Sequence, residues 1–275
     1  MLLGIDIGGT TINMGLVQGS SIVVKKTVPS FKKEWNKQQT LDYLCEEISG
    51  IFSPEVEHIG IGVPTLVDPA QGIAYQAVNI PSWDEVNIKQ AVQQRFGVPV
   101  SVNNDSNCFA LGASAILGSK DRILVGITLG TGLGMGVIVD GKLLDGTHCG
   151  VGEIGSLPYN GHDYEEFCSK KFFTAHHLQG KAAYDAAEAG DPATLELFHE
   201  FGRHLGELLS VVMFAYDPDC IVLGGGVANS YKLFEDAMKK TLALRYPYIK
   251  ALESLKIEVL PQGDIPVLGA SQLTN

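Results

Sequence analysis

Asp6-Ile7-Gly8-Gly9-Thr10-Thr11 joins a carboxylate, a glycine pair and two hydroxyls, between the apolar run Leu3-Gly4-Ile5 and the alternating run Ile12 to Val17. The pattern reads as strand, turn, strand. Backbone N–H groups of Gly8, Gly9 and Thr10, with the Thr10 and Thr11 hydroxyls, can meet phosphate oxygens, and Asp6 can hold Mg²⁺ through water. An ordinary hairpin with a Gly-Gly turn has the same local pattern. A second copy of the grammar follows at Ile127-Thr128-Leu129-Gly130-Thr131-Gly132-Leu133-Gly134, with an Asp140-Gly141 hairpin signal behind it. Two matching strand-loop-strand units suggest two similar halves that share a triphosphate.

Three further stretches carry candidate chemistry. In Asn103-Asn104-Asp105-Ser106-Asn107, Asp105 lies between a short strand (Val98 to Val102) and a small-residue helix (Cys108 to Leu117). That is the strand edge where α/β sheets bind ligands, and a helix start favours an ionised carboxylate able to accept a hydroxyl proton. Plain helix capping explains the same residue. Gly152-Glu153-Ile154-Gly155 sets one carboxylate among glycines, either for a substrate hydroxyl or for solvent. Leu223-Gly224-Gly225-Gly226-Val227 is a strand running into a glycine turn before a helix, suited to an anion or a nucleotide. Asn79, in an irregular loop, can reach a sugar hydroxyl or cap its own loop.

The elements that must position these residues alternate as α/β. Helical spacing predicts a helix over Gln39 to Phe52, one from about Glu85 to Phe96, and a long one after an Asp191-Pro192 start, ending at Asp217-Pro218. Its apolar stripe (Phe198, Phe201, Leu205, Leu208, Leu209, Val212) reads as core or subunit contact. A strand at Ile257 to Leu260 and Gly269-Ala270-Ser271 close the chain.

At 275 residues with 45% hydrophobic residues, the chain can fill sizeable cores. A formal net charge of -11 disfavours nucleic acid and anionic membrane as general partners. No apolar run has the length of a membrane span and no leader pattern is present, so a cytoplasmic location is expected. Five scattered cysteines read as reduced core thiols.

Asp6-Ile7-Gly8-Gly9-Thr10, Asn104-Asp105, Leu129-Gly130-Thr131-Gly132-Leu133-Gly134, Gly152-Glu153-Ile154-Gly155 and Leu223-Gly224-Gly225-Gly226-Val227 together resemble, in that order, the ROK family of sugar kinases. The resemblance covers essentially the whole chain. It implies a two-lobed actin-like ATPase (ribonuclease H-like) α/β fold with mixed sheets and an interlobe cleft. The smaller lobe would span 1–115, with 264–275 returning to it, and the larger 116–263. It implies an ATP- and Mg²⁺-dependent kinase acting on the 6-hydroxyl of a hexose or amino sugar, as a homodimer. Asp105 would be the base and Asn79, Asn104 and Glu153 would hold other hydroxyls. Gly8, Gly9, Thr10, Thr11, Gly130, Thr131, Gly132 and Gly134 would hold phosphates, with Asp6 near Mg²⁺ and Gly224, Gly225 and Gly226 near the nucleotide.

Two departures stand out. Ser156 occupies the place of a His after Glu-Ile-Gly, and only Cys168 remains of a zinc-binding Cys cluster, with Lys170 roughly where a Glu is expected. One thiol with His162 or His148 does not make a four-ligand site, so no structural zinc is expected. Competing readings are a sugar-sensing regulator, which would carry a helix-turn-helix ahead of Asp6 where this chain begins five residues before it, and a sugar-binding ATPase without transfer.

Overall fold

The computed structural model describes residues 1–77, 80–261 and 263–273. They fall into two compact units. The first comprises the described residues of Met1–Ser119, Lys142–Val151 and Gly263–Asn275, and the second those of Lys120–Gly141 and Gly152–Gln262.

The first unit opens with β1 (Leu2–Ile7), β2 (Thr11–Gln18) and β3 (Ser21–Pro29), a meander whose first two strands are mostly buried and whose third is mostly exposed. Helix α1 (Lys37–Ser49) follows, starting earlier than Gln39 because Asn36 and Gln39 form a reciprocal capping box. Then come β4 (His58–Val63), β5 (Leu66–Asp68), β6 (Ile73–Tyr75), β7 (Glu85–Asn87), α2 (Ile88–Phe96), β8 (Val100–Asn104) and α3 (Asp105–Leu117). The helix expected from Glu85 begins only at Ile88. Glu85 to Asn87 instead pair with β6, burying Val86, and the Asn87 side chain caps the helix. The main sheet runs β3-β2-β1-β4-β8, with β4 parallel to both β1 and β8. Those central strands are largely buried on both faces, as a covered parallel sheet requires.

In the second unit, β9 (Ile123–Leu129) and β10 (Leu133–Val139) form the second glycine hairpin; the two-residue strand β11 (Lys142–Leu143) that follows is counted with the first unit. After a 3-10 turn at Ile154–Ser156 come β12 (Pro158–Tyr159), β13 (His162–Asp163), α4 (Tyr164–Cys168), α5 (Lys170–Ala175), α6 (Gly180–Glu188) and α7 (Pro192–Tyr216). Then follow β14 (Cys220–Gly224), a 3-10 turn at Val227–Ser230, α8 (Tyr231–Arg245), α9 (Ile249–Ser254), β15 (Lys256–Val259) and, back in the first unit, α10 (Ile265–Ser271). Strands β10-β9-β14-β15 repeat the order and directions of β2-β1-β4-β8: one antiparallel pair, then two parallel pairs. The repeated glycine grammar of the sequence therefore marks a repeated sheet.

Each unit has its own apolar core. The stripe of α7 belongs to the second core, with Phe201, Leu205 and Leu209 wholly buried. Gly202 and Gly206 let α8 approach α7 closely, since a Cβ at either would lie 2.5 Å from the Phe234 or Met238 carbonyl oxygen.

Candidate active site

In the first unit, the loop after β1 is held open by main-chain bonds. The Gly8 N–H donates to the Thr11 carbonyl (2.9 Å), and Ser30 donates from its N–H to the Thr10 carbonyl (2.8 Å) and from its Oγ to the Gly8 carbonyl (2.7 Å). Gly9 and Thr10 stay exposed at the tip. Ser30 had no signal in the sequence. It arrives through the β2–β3 register, which sets Pro29 opposite Thr11.

Asp6, the penultimate residue of β1, stands level with Asn13 on β2 and, beyond it, Thr27 on β3. The three side chains form a row across the sheet: Thr27 Oγ1 donates to Asn13 Oδ1 (3.0 Å) and Asn13 Nδ2 to Asp6 Oδ2 (3.5 Å). The Asp6 carboxyl is enclosed, and burial pushes it up to about 6 against the opposing hydrogen bond from Asn13. An enclosed carboxylate with no ion-pair partner among the described residues has the hard oxygen donors that suit Mg²⁺.

On the other side of β1, Asp6 pairs with Gly62 of β4, and Gly62 with Asn103 of β8. Two strand spacings, about 10 Å, separate the Asp6 and Asn103 positions. Asp105 follows as the first residue of α3, at the carboxyl edge of the parallel strands. Gly62 makes room for it, because a Cβ there would sit 3.0 Å from Cys108 Sγ and 3.6 Å from the Asp105 Cα. The helix cap is Asn104. Asn104 Oδ1 accepts from the Ser106 N–H (2.9 Å), and its Nδ2 donates to the Thr65 carbonyl (3.1 Å). Buried Asn103 fixes the same turn, its Oδ1 accepting from the Asn104 N–H and from Asn107 Nδ2, both at 2.8 Å. Asp105 therefore stands at a helix start locked by three amides, with its Oδ1 accepting from Ser106 Oγ (3.3 Å). Asn79 lies outside the described residues.

In the second unit, the β9–β10 turn is closed by the Gly130 N–H donating to the Gly132 carbonyl (3.0 Å). Gly134 stands inside β10 opposite Thr128, so the loop itself is Gly130, Thr131 and Gly132. A carboxylate braces it. Glu165 Oε2 accepts from the Leu133 N–H (3.0 Å), while Oε1 pairs with Lys171 (2.8 Å), which also binds Glu166 (3.0 Å). Glu165 was invisible as a site residue in the sequence, since only the fold carries α4 back to the loop. The triple glycine ends β14, with Gly224 paired to Thr128. Gly225 turns the chain there with φ +88, and a Cβ on it would lie 2.4 Å from the Leu129 carbonyl oxygen.

These two glycine turns border a cavity of about 1080 Å³ within the second unit. Its wall includes Gly130, Thr131, Lys170, Phe173, Gly226 and Asn229. It has the capacity of a nucleotide pocket, with an aromatic side and a glycine-rich side. Glu153 precedes the 3-10 turn at Ile154–Ser156. Although the residue is exposed, its carboxyl is raised above the usual range, first by desolvation and then by the Glu165 charge.

The segment that carries Cys168 is packed aromatically. Tyr159 stacks on Tyr164 (4.3 Å between centroids), meets Phe167 edge-on and hydrogen-bonds to His204 Nδ1 (2.9 Å). Cys168 is wholly buried, which holds its thiol far above its ordinary range. Among the described residues no three His, Cys, Asp or Glu side chains are grouped to hold a metal ion, and these residues do not fit zinc.

The model of the ROK family matches residues 2–274. The chain is 26% identical to a glucokinase of Thermotoga maritima, over 99% of this chain and 96% of that one. It is 31% identical to an N-acetyl-D-glucosamine kinase of Pasteurella multocida, over 89% and 90% respectively. Its structure is similar to that of a ROK family glucokinase from Streptomyces griseus in complex with glucose and AMPPNP, with a TM-score of 0.79 and 27% identity over 99% of this chain and 98% of that one.

Proposed function

We infer that this chain, which belongs to the ROK family, is an ATP-dependent carbohydrate kinase that phosphorylates a hexose or amino sugar at its 6-hydroxyl. The fold is the actin-like ATPase α/β fold with mixed sheets, shared with ROK sugar kinases. The kinase names of the relatives in both comparisons support the activity over the regulatory reading.

One observation carries the chemistry: Asp105 is the first residue of α3, whose cap is Asn104, at the sheet edge that also bears Asp6 and the Gly8–Thr10 loop. In this reading an Asp105 carboxylate oxygen accepts the proton of the attacking sugar hydroxyl. Asn104, Asn79 and Glu153 orient the other hydroxyls. Gly8 and Gly130 use their own N–H groups to close their turns, so the N–H groups of Gly9 and Thr10, with those of Thr131 and Gly132, hold phosphate oxygens, and Asp6 holds Mg²⁺ through water. Bound ATP supplies the phosphoryl group, and the cation screens its charge. The protein's work is positioning and charge neutralisation.

The chain also acts as a homodimer in the cytoplasm. Exposed Phe214, Leu244 and Ile249 on the second unit offer apolar surface to a second copy, and the cysteines are free thiols.

The test is ADP release with Mg-ATP against glucose, fructose, mannose, N-acetylglucosamine, N-acetylmannosamine and allose. Sugar-dependent turnover is expected, with Asp105→Asn lowering kcat by roughly 10²- to 10⁴-fold at intact nucleotide affinity. No turnover on any of these sugars, with ATP still bound, would overturn the reading.

A further inference from the structure

Lys170 enters the sequence analysis only as a departure. The structure gives it a place. Its main-chain N–H donates to the Gly130 carbonyl (2.9 Å), which fastens the residue to the second glycine loop. Ser169 fixes the same point from the other side, its Oγ accepting from the Lys171 N–H (3.1 Å). Lys170 then lines the 1080 Å³ cavity beside Gly130 and Thr131.

The two neighbouring lysines have opposite fates. Lys171 is held by Glu165 and Glu166 at 2.8 and 3.0 Å, so its charge is taken up by two carboxylates, one of which braces the loop. Lys170 is exposed, and among the described residues no carboxylate lies within ion-pair distance of it. Lys181, in the first turn of α6, adds a second cation to the cavity wall, against one carboxylate, Asp185. In a chain of net charge -11, a cation that no carboxylate pairs among the described residues, on the cavity wall beside a glycine loop, is the arrangement that a phosphate chain requires.

We propose that Lys170 binds the phosphate chain of the nucleotide, so that the donor's charge is met by a side chain of the cavity wall as well as by backbone N–H groups. This rests on the kinase reading and assigns a donor-specificity residue to it. The lysine distinguishes nucleotides by their phosphates and leaves the nucleoside and sugar contacts untouched.

Calorimetric titration of adenosine, ADP and ATP, with Mg²⁺ present, onto the wild type, Lys170→Gln and Lys170→Arg tests this. ADP and ATP are expected to bind Lys170→Gln about 10- to 100-fold more weakly, the loss of one charge-assisted hydrogen bond. Adenosine affinity and the KM for sugar should stay within twofold, and Lys170→Arg should recover most of the affinity. Unchanged ADP and ATP affinity in Lys170→Gln overturns the proposal, as does an equal loss for adenosine, which would show a deformed cavity. A raised sugar KM with intact ATP affinity overturns it too, placing the lysine on the sugar side. If the wild type binds no adenine nucleotide, the kinase reading falls as well; if it turns over sugar while Lys170→Gln binds ATP normally, only this inference falls.

Discussion

Asp105 and Asn104 show how much one residue of register matters. Both are cap-forming types at a strand-to-helix junction, and the sequence leaves capping open for Asp105. The structure gives the cap to Asn104, whose two amide ends also tie α3 to the Thr65 carbonyl. His58 offers a test at the same scale. It begins β4, half-buried, with Nε2 2.9 Å from Ser101 Oγ. Desolvation first and Lys89 second hold its imidazolium below the ordinary value of 6.5. The folded protein then binds fewer protons than the unfolded chain just below pH 6.5. This residue's contribution is complete above that pH and is lost as pH falls through the folded-state value. In urea melts between pH 7.5 and 5, the wild type should lose more stability than His58→Gln. Parallel losses in the two proteins would remove His58 from the account.

The element that most depends on tertiary packing is α10. Gly15, Gly4 and Gly60 lie in one row across β2, β1 and β4. That row is the bed on which the helix lies. A Cβ at Gly4 would sit 1.9 Å from the Val267 carbonyl oxygen, and one at Gly60 1.7 Å from that of Ala270. Backbone cannot yield as a flexible side chain does, so Gly60→Ala should destabilise the first unit by about 3 kcal/mol, the upper end of ordinary overpacking. A shift in denaturation midpoint below about 1 kcal/mol would show that α10 can lift off without loss. In the sequence these glycines are scattered through apolar strands, where they read as weak positions. Only the pairing register makes them a surface.

At the scale of the whole molecule each unit has its own large core, the first unit's built on Leu3, Ile5, Ile59 and Ile61 and the second's on Phe198, Phe201, Leu205 and Phe234. Separate cores license separate unfolding. Scanning calorimetry should show two transitions, and ADP without sugar should raise the one belonging to the second unit. The gain is about 2.7 kcal/mol at a hundredfold excess over Kd. A single transition that shifts as a whole would argue that the units melt as one. The sequence by itself determined the chain's repeated strand-loop-strand grammar, Asp6 and Asp105 as the candidate carboxylates, and the family, because strand periodicity, glycine turns and motif order are written in contiguous residues. Tertiary structure decided what contiguity cannot carry: Asn13 and Thr27 in register with Asp6, Ser30 pinning one glycine loop, and Glu165 bracing the other. These partners meet through strand pairing and through the return of distant segments. Their residue types, a serine, an asparagine, a threonine and a glutamate, are ordinary until the fold removes the distance.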